Sequence, residues 1–496
     1  MALCGLSLGA LGGSTAAAAS GCTAGTESDF NGDGIRDMAI ADPEATVAGK
    51  DEAGLVRVVY GGGKGTATVR QGSKGVTGTP EADDRFGHTL AVYDGNKDGC
   101  SDLVVGVPYE GVGAEAEAGV VQVIYGAPAG LGEGPAGISL IQGTGTGSIA
   151  RSAPEAGDWF GFSLAAGATA GGDPYLAIGV PGEDLGTTRD AGGVHYVRRD
   201  TNVTLHQDVA GFAGVAEEND RFGYSLAGSP RHFAIGSPGE AIGTEKFSGG
   251  VQIVAHEPYS QGMPAPVAGL DQDSPGINGA AEADDRFGGS LAMVPYRPSG
   301  ASAATDSILA VGSPGEDLTT GEDAGRVVLI HIQASGKISQ TADISQNISG
   351  VQGVGEDGDQ FGQHLTAVNA APASVGTAST MLLAVGIPGE DTAAGADVGA
   401  VQVFPMTGPV GKGAWVPQSG HGLPHEAGER SYLGSSLLAT ADRLHVGLPY
   451  GPTAQRGVYG LPWANILSGG TGEVTATRPG EGGVPAEQTS FGAVIR

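Results

Sequence analysis

The sequence predicts an all-β fold, a seven-bladed β-propeller of four-stranded antiparallel blades, closed by pairing of its N- and C-terminal segments. Three observations predict it. Phe-Gly, once Leu-Gly, opens seven near-copies of one unit, at Phe86, Phe160, Phe222, Phe287, Phe361, Leu433 and Phe491. An apolar-Gly/Ala-x-Pro string also occurs seven times, ending at Pro43, Pro108, Pro181, Pro238, Pro314, Pro388 and Pro449. The first proline string has no Phe-Gly before it, and the last Phe-Gly has no proline string after it. Each chain end therefore holds half of one unit, as a closed ring requires.

A repeat cannot bury its apolar face without neighbours, so residues 22–496 read as one domain despite their length. Glycine, 91 of 496 residues, suits many tight turns rather than disorder, because apolar runs recur on schedule: LVVGVP, LAIGVP, FAIGSP, LAVGSP. Short runs bounded by Gly and Pro read as buried strands.

Within the best-formed unit, Asp84–Val92 reads as the first strand and Asp94–Asp102 as a tight acidic loop. Leu103–Pro108 is the second strand, with its proline at the end, where a missing N–H costs little. Gly119–Tyr125, rich in β-branched residues, is the third. An outer strand near Ser139–Gln142 follows. Phe86 and Leu90, four apart, should share one strand face and pack on the neighbouring blade. In the closing blade, the segment from Phe491 is innermost, and residues from about Ser28 to Gly65 supply the rest.

The net charge of −30 excludes a nucleic-acid binder, which needs Lys and Arg for phosphate neutralisation, and disfavours anionic membranes. It favours cation binding. Residues 1–21 read as the remnant of a secretory signal, and no later stretch is apolar enough to span a membrane. Cys22 and Cys100 are the cysteines of the mature chain. If the ring closes, their loops belong to adjacent units, so a disulfide is expected. The rival is a lipid anchor on Cys22, whose Ala-Ser-Gly-Cys context faintly resembles a lipobox.

Two loops carry chemistry: Asp29-Phe-Asn31-Gly-Asp33-Gly-Ile35-Arg-Asp37 and Asp94-Gly-Asn96-Lys-Asp98-Gly-Cys100-Ser-Asp102. Side-chain oxygens at positions 1, 3, 5 and 9, with the backbone carbonyl of position 7 (Ile35 or Cys100), suit Ca²⁺, a hard cation of flexible coordination. Two Ca²⁺ sites are expected, one per loop. Neither loop has the Glu at position 12 or the flanking helices of an EF-hand. In the other units the loop is neutral or short, as at Gly167–Asp173, and no metal is expected there.

The Phe-Gly, Gly-x-Pro and Asp-x-Asn-x-Asp-Gly-x-x-Asp strings together resemble the FG-GAP repeat of integrin α-subunits and of secreted bacterial proteins. The resemblance covers Ser28 to Arg496. It implies a seven-bladed propeller with calcium loops, and it implies that the opposite end is a partner-binding face. Two further acidic sets fall at that end. One precedes Phe-Gly (Glu81/Asp84, Glu155/Asp158, Glu217/Asp220, Glu282/Asp285, Glu356/Asp359). The other follows the proline (Glu183-Asp184, Glu240, Glu316-Asp317, Glu390-Asp391). They read as a turn-capping acidic rim or as a site for a cationic or glycan ligand.

There is no HExxH or Walker A string, and no Gly-x-Ser-x-Gly string beyond the signal segment, where Gly5-Leu-Ser7-Leu-Gly9 falls; His421 and His425 read as loop residues. The expected function is a secreted, monomeric, non-enzymatic binding or adhesion module for an extracellular protein or glycan. A secreted glycoside hydrolase or lyase working at the propeller mouth and a structural envelope protein are the alternatives.

Overall fold

The computed structural model describes residues 21–199, 201–260, 262–411, 414–416, 423 and 427–496. Most of the expected signal segment, and His421 and His425, lie outside them. Among the described residues the strands form seven four-stranded antiparallel sheets. Blade 1 comprises Thr89–Tyr93, Asp102–Val107, Val120–Ile124 and Ile138–Leu140, innermost to outermost. Blades 2 to 6 repeat that order, with innermost strands Leu164–Ala168, Ser225–Gly228, Ser290–Tyr296, Leu365–Asn369 and Ser436–Ala439.

Blade 7 is the seam. Val494–Ile495 is its innermost strand, followed by Met38–Asp42, Leu55–Val59 and Thr66–Val69. Ile40 faces Ile495 and Ala41 faces Val494 across the antiparallel pair. The chain ends thus complete one sheet, as the half-units at each end require, and no sheet edge is left facing a gap in the ring.

The repeat phenylalanines pack between blades, but by a different route from the sequence reading. The first strand begins at Thr89, so Phe86 lies outside it. Arg85 at φ 54° and Gly87 at φ 95° bracket Phe86 in a tight turn. That turn, rather than the two-residue period of a strand, carries the ring to the interface. There Phe86 and Leu90, both fully buried, meet Ala41, Val56 and Val58 of blade 7 and Leu103 and Val105 of blade 1.

The backbone ties the blades as well. Phe86 N–H donates to Ala53 O at 3.0 Å, and Phe160, Phe222, Phe361 and Leu433 repeat that bond to the preceding blade. Gly54, next to the acceptor, sits at φ 79°, and a Cβ there would lie 2.4 Å from the Phe86 nitrogen. Contact this close admits only glycine. In the proline strings, a Cβ on Gly179 would lie 2.1 Å from Gly223 O of the next blade.

Blade 6 departs from its sisters. A six-residue helix, Trp463–Ser468, follows its third strand, and Trp463 Nε1–H donates to Thr440 O at 2.8 Å.

Candidate functional sites

The first Asp-rich loop leads into the second strand of blade 7, the second joins the first and second strands of blade 1, and the two lie side by side. Ser101 N–H donates to Asp29 O at 2.8 Å, and Ala127 N–H donates to Phe30 O at 3.0 Å. A Cys22–Cys100 disulfide clips them together. This places the Cys22 sulfur in a covalent bond and removes the lipid-anchor alternative.

The loops are internally alike. Asp29 accepts the N–H groups of Asp33 and Gly34, Asn31 accepts Asp33 N–H, and Asp33 accepts Ile35 N–H, at 2.7–3.1 Å. Asp94, Asn96 and Asp98 do the same for Asp98, Gly99 and Cys100 N–H. Asp37 closes its loop by accepting Phe30 N–H and Gly61 N–H, both at 2.8 Å. Asp102 accepts Gly95 N–H and Gly126 N–H at 2.9 and 3.0 Å. The last Asp of each loop is therefore also a clamp between strands.

Burial raises Asp37 to about 6, with Asp29 and Asp33 adding to it. Burial likewise raises Asp102 to about 7, helped by Asp94 and Asp98. Oxygen donors of this kind and number suit a hard dication, which would offset the repulsion among these carboxylates. One protein cation is already drawn in, since Lys64 Nζ lies 2.8 Å from Asp33 Oδ2. In blade 2 the corresponding Asp173 is met by Arg199 at 2.6 Å, Arg198 at 3.1 Å and Lys97 at 3.5 Å.

The two other acidic sets lie together at the opposite end. Asp84, Asp158, Asp220, Asp285 and Asp359 are buried, and each accepts the N–H of the Glu three residues earlier at 2.6–2.7 Å. Asp184, Asp317 and Asp391 cap the next loop by accepting the N–H groups of Asp190, Asp323 and Asp397. Turn capping is thus the structural role of these aspartates.

The glutamates after the proline have a partner the sequence reading missed, a buried glutamine from the end of the preceding outer strand. Gln71, Gln142, Gln272 and Gln346 donate to Glu110, Glu183, Glu316 and Glu390 at 2.5–2.7 Å, and Gln207 donates to Glu240. Its signal was available, because the glutamine recurs at 71, 142, 207, 272 and 346, in five of the seven units.

A central cavity of about 920 Å³ runs between the innermost strands of all seven blades. Ser163 and Ser225 tie its wall by donating to Gly223 O and Gly288 O of the next blade, both at 2.6 Å. Its mouth at the Phe-Gly end carries a run of rings. Centroids of His88 and Phe162, and of Phe162 and Tyr224, are 4.9 Å apart. Trp159 is 5.9 Å from Phe162, and Tyr109 is 5.3 Å from His88. Arg85 lies over Tyr109 at 5.5 Å and Arg221 over Trp159 at 5.7 Å. Glu52 holds Arg85, whereas Arg221 Nε is buried without a hydrogen-bond partner. Rings on blades 1 to 3 thus form a half-ring studded with arginine on a chain of net charge −30.

The FG-GAP repeat family matches residues 86–124, one full unit from Phe-Gly through the third strand of blade 1. Integrin alpha-PS2 of Drosophila melanogaster is 32% identical over 164 residues, 32% of this chain and 11% of that protein. Blade 1 thus carries an FG-GAP repeat, within a seven-bladed propeller similar to the integrin-like kind.

Phosphatidylinositol-glycan-specific phospholipase D of Rattus norvegicus is 32% identical over 212 residues, 40% of this chain and 24% of that protein. The mouse protein of the same name is 35% identical over 107 residues, 21% of this chain and 13% of that protein. This propeller therefore matches less than a quarter of the length of each of these curated relatives. Since relatives carry an enzyme's name, the expectation of a non-enzyme draws no support from them. The solved periplasmic gluconolactonase PpgL of Pseudomonas aeruginosa covers 89% of this chain and 96% of its own, at 13% identity and a TM-score of 0.43. No helix among the described residues is long and apolar enough to cross a membrane.

Proposed function

We propose that this propeller is an extracellular binding module whose ligand, a protein or glycan, seats on the channel mouth at the Phe-Gly end, while Ca²⁺ in the two Asp-rich loops stiffens the far end. One observation carries the reading: the half-ring of Tyr109, His88, Trp159, Phe162 and Tyr224, with Arg221 stacked on it. Aromatic faces beside a cavity suit sugar rings and aliphatic side chains, and arginine adds affinity for anionic groups. The disulfide is compatible with an oxidising compartment.

In the loops, Asp29, Asn31, Asp33 and Asp37, and Asp94, Asn96, Asp98 and Asp102, with the carbonyls of Ile35 and Cys100, would hold the two ions. A bound ion offsets carboxylate repulsion and fixes the loop, so its binding free energy adds to stability.

The test is a glycan-array and cell-surface pull-down screen with the full chain, run with calcium and with chelator. Ligands captured by the parent and lost in Trp159→Ala and Tyr224→Ala support the mouth as the site. Capture that both variants retain sinks it. A second reading, an enzyme at the same mouth, rests on the phospholipase D likeness. It requires turnover of a captured ligand.

A further inference from the structure

Blades 3 and 4 differ at one position in a way that exposes a second site. The third strand of blade 4 opens with Arg326, paired with Ser313. Its guanidinium, 9% exposed, reaches Glu316 at 3.1 Å and Asp343 at 2.7 and 2.5 Å, and donates to Asn278 O at 2.9 Å. The glutamate above this blade thus has a built-in cation. In blade 3 the same register position, paired with Ser237, is Gly250.

Where the arginine would lie, blade 3 has a cavity of about 230 Å³, lined by Gln207, Glu240, Gly250, Gly269 and Asp271. Gly250 has an ordinary backbone, and a Cβ there would meet Glu240 Cγ at 3.5 Å, an unstrained contact. Gln207, 6% exposed, donates its Nε2–H to Glu240, and its Oε1 is buried with no partner. That oxygen is unpartnered at Gln71, Gln142, Gln272 and Gln346 too. The arginine is confined to blade 4, the same register position being Leu55, Val120, Gly193, Ala400 and Gly457 in blades 7, 1, 2, 5 and 6. What sets blade 3 apart is Asp271, where the residue before the recurring glutamine is Arg70, Ile141, His206 or Ser345 in the sister units. No ion pair among the described residues reaches Glu240 or Asp271. Burial, then Glu217 and Asp271, raise Glu240 to about 7, the state of a carboxylate lacking its counter-ion.

We propose that this cavity is a recognition site for a guanidinium group received by the carboxylate pair of Glu240, in the place of Glu316, and Asp271, two residues beyond Gly269, which holds the register position of Asp343. The planar fork of a guanidinium matches paired carboxylates, and Gln207 Oε1 offers a further acceptor. The source is either a free small guanidinium compound or an arginine side chain of a partner. The site stands apart from the channel mouth and holds whether or not the mouth binds anything.

The test is calorimetric titration of the full chain with methylguanidinium and with the tripeptide acetyl-Gly-Arg-Gly-amide. Saturable one-site binding of either probe is expected, weakened at least tenfold in Glu240→Gln. Gly250→Arg, whose own guanidinium fills the cavity, should abolish binding and raise the melting temperature. Trp159→Ala should leave it unchanged, which separates this site from the mouth. Tighter binding of the tripeptide identifies a polypeptide source, and equal binding a small cation. Either probe binding Gly250→Arg as well as the parent would overturn the proposal, as would no saturable binding of either probe. The glycine position is surface-lining and unstrained, so a folding failure of Glu240→Gln leaves Gly250→Arg to decide.

Discussion

Asp42 accepts the Ser490 N–H at 2.7 Å and the Ser490 Oγ–H at 3.0 Å, joining residues 448 apart in sequence. A third bond, from Thr489 N–H at 2.9 Å, completes the set, and both Asp42 and Ser490 are fully buried. Asp42 occupies the x position of the first proline string, which the sibling units fill with Val, Ser, Ile or Leu. The one charged residue in that register is therefore the one that fastens the closing strand.

Asp42→Ala leaves the buried Ser490 N–H without an acceptor, at roughly 1–3 kcal/mol, and removes the part-buried bond from Thr489 N–H as well. The expected result is a drop of several degrees in melting temperature, with cleavage by trypsin moving to the blade 7 seam. An unchanged melting temperature would show that the two-residue strand pairing alone holds the ring.

Neighbouring strands of blade 2 offer a matched pair of glycines. An alanine methyl at Gly179 would lie 2.1 Å from a backbone oxygen, while at Gly193 the nearest atom is 3.7 Å away. Gly179→Ala should cost about 3 kcal/mol or more through forced separation of blades 2 and 3. Gly193→Ala should be near neutral. Urea denaturation of the two variants checks this, and equal midpoints would contradict the tight contact.

Stability should fall as pH rises toward 8. Burial pushes Asp158 up to about 8 and Glu183 up to about 7. Unfolded, both carboxyls release their protons near pH 4; folded, they keep them to pH 7–8. The folded chain binds more protons between those limits, so the contribution is full below about pH 4 and lost as pH passes the folded values. Asp158→Asn keeps the acceptor for Glu155 N–H and removes the charge. Its melting temperature should therefore decline less between pH 5 and 8 (~ half the parent's slope for this unit). The parent's slope surviving intact in the variant would assign the pH dependence elsewhere.

Calcium should stabilise the chain. At 10-fold excess over a dissociation constant of order 10⁻³ M, each site contributes about 1.4 kcal/mol. Thermal melts with calcium and with chelator should differ by a few degrees. The difference should vanish in the Asp29→Asn, Asp94→Asn double variant; its persistence would place the ions outside these loops.

The disulfide closes a loop with a sequence separation of 78 residues. Its replacement by Cys22→Ser, Cys100→Ser should cost about 4 kcal/mol on the chain-entropy account. Calorimetry of the oxidised and double-serine chains measures it.

The architecture was legible because the ring repeats. Phe-Gly and Gly-x-Pro mark the two places per unit where neighbouring backbones nearly touch, and steric exclusion leaves only glycine there. The half-units at the chain ends disclosed the seam for the same reason. What sequence did not show was direction and depth. It placed Phe86 in a strand because a left-handed turn at Arg85 has no clear signature outside glycine and asparagine. It offered turn capping as one reading of the rim carboxylates, but nothing local reveals that Asp84 is buried as it caps. The half-ring at the mouth escaped notice because His88, Phe162 and Tyr224 sit two residues after each phenylalanine, among siblings as plain as Gly289 and Ala493. Only the closed ring brings them together.

Blade 7 also sets the order of events during synthesis. Its three outer strands are synthesised before the other six blades, yet the strand at Val494–Ile495 that completes them is synthesised after those blades. Until then Met38–Asp42 presents a bare hydrogen-bonding edge, open to pairing with another nascent chain. A chaperone that shields this stretch would protect yield more than any gain in the packing of the other six blades.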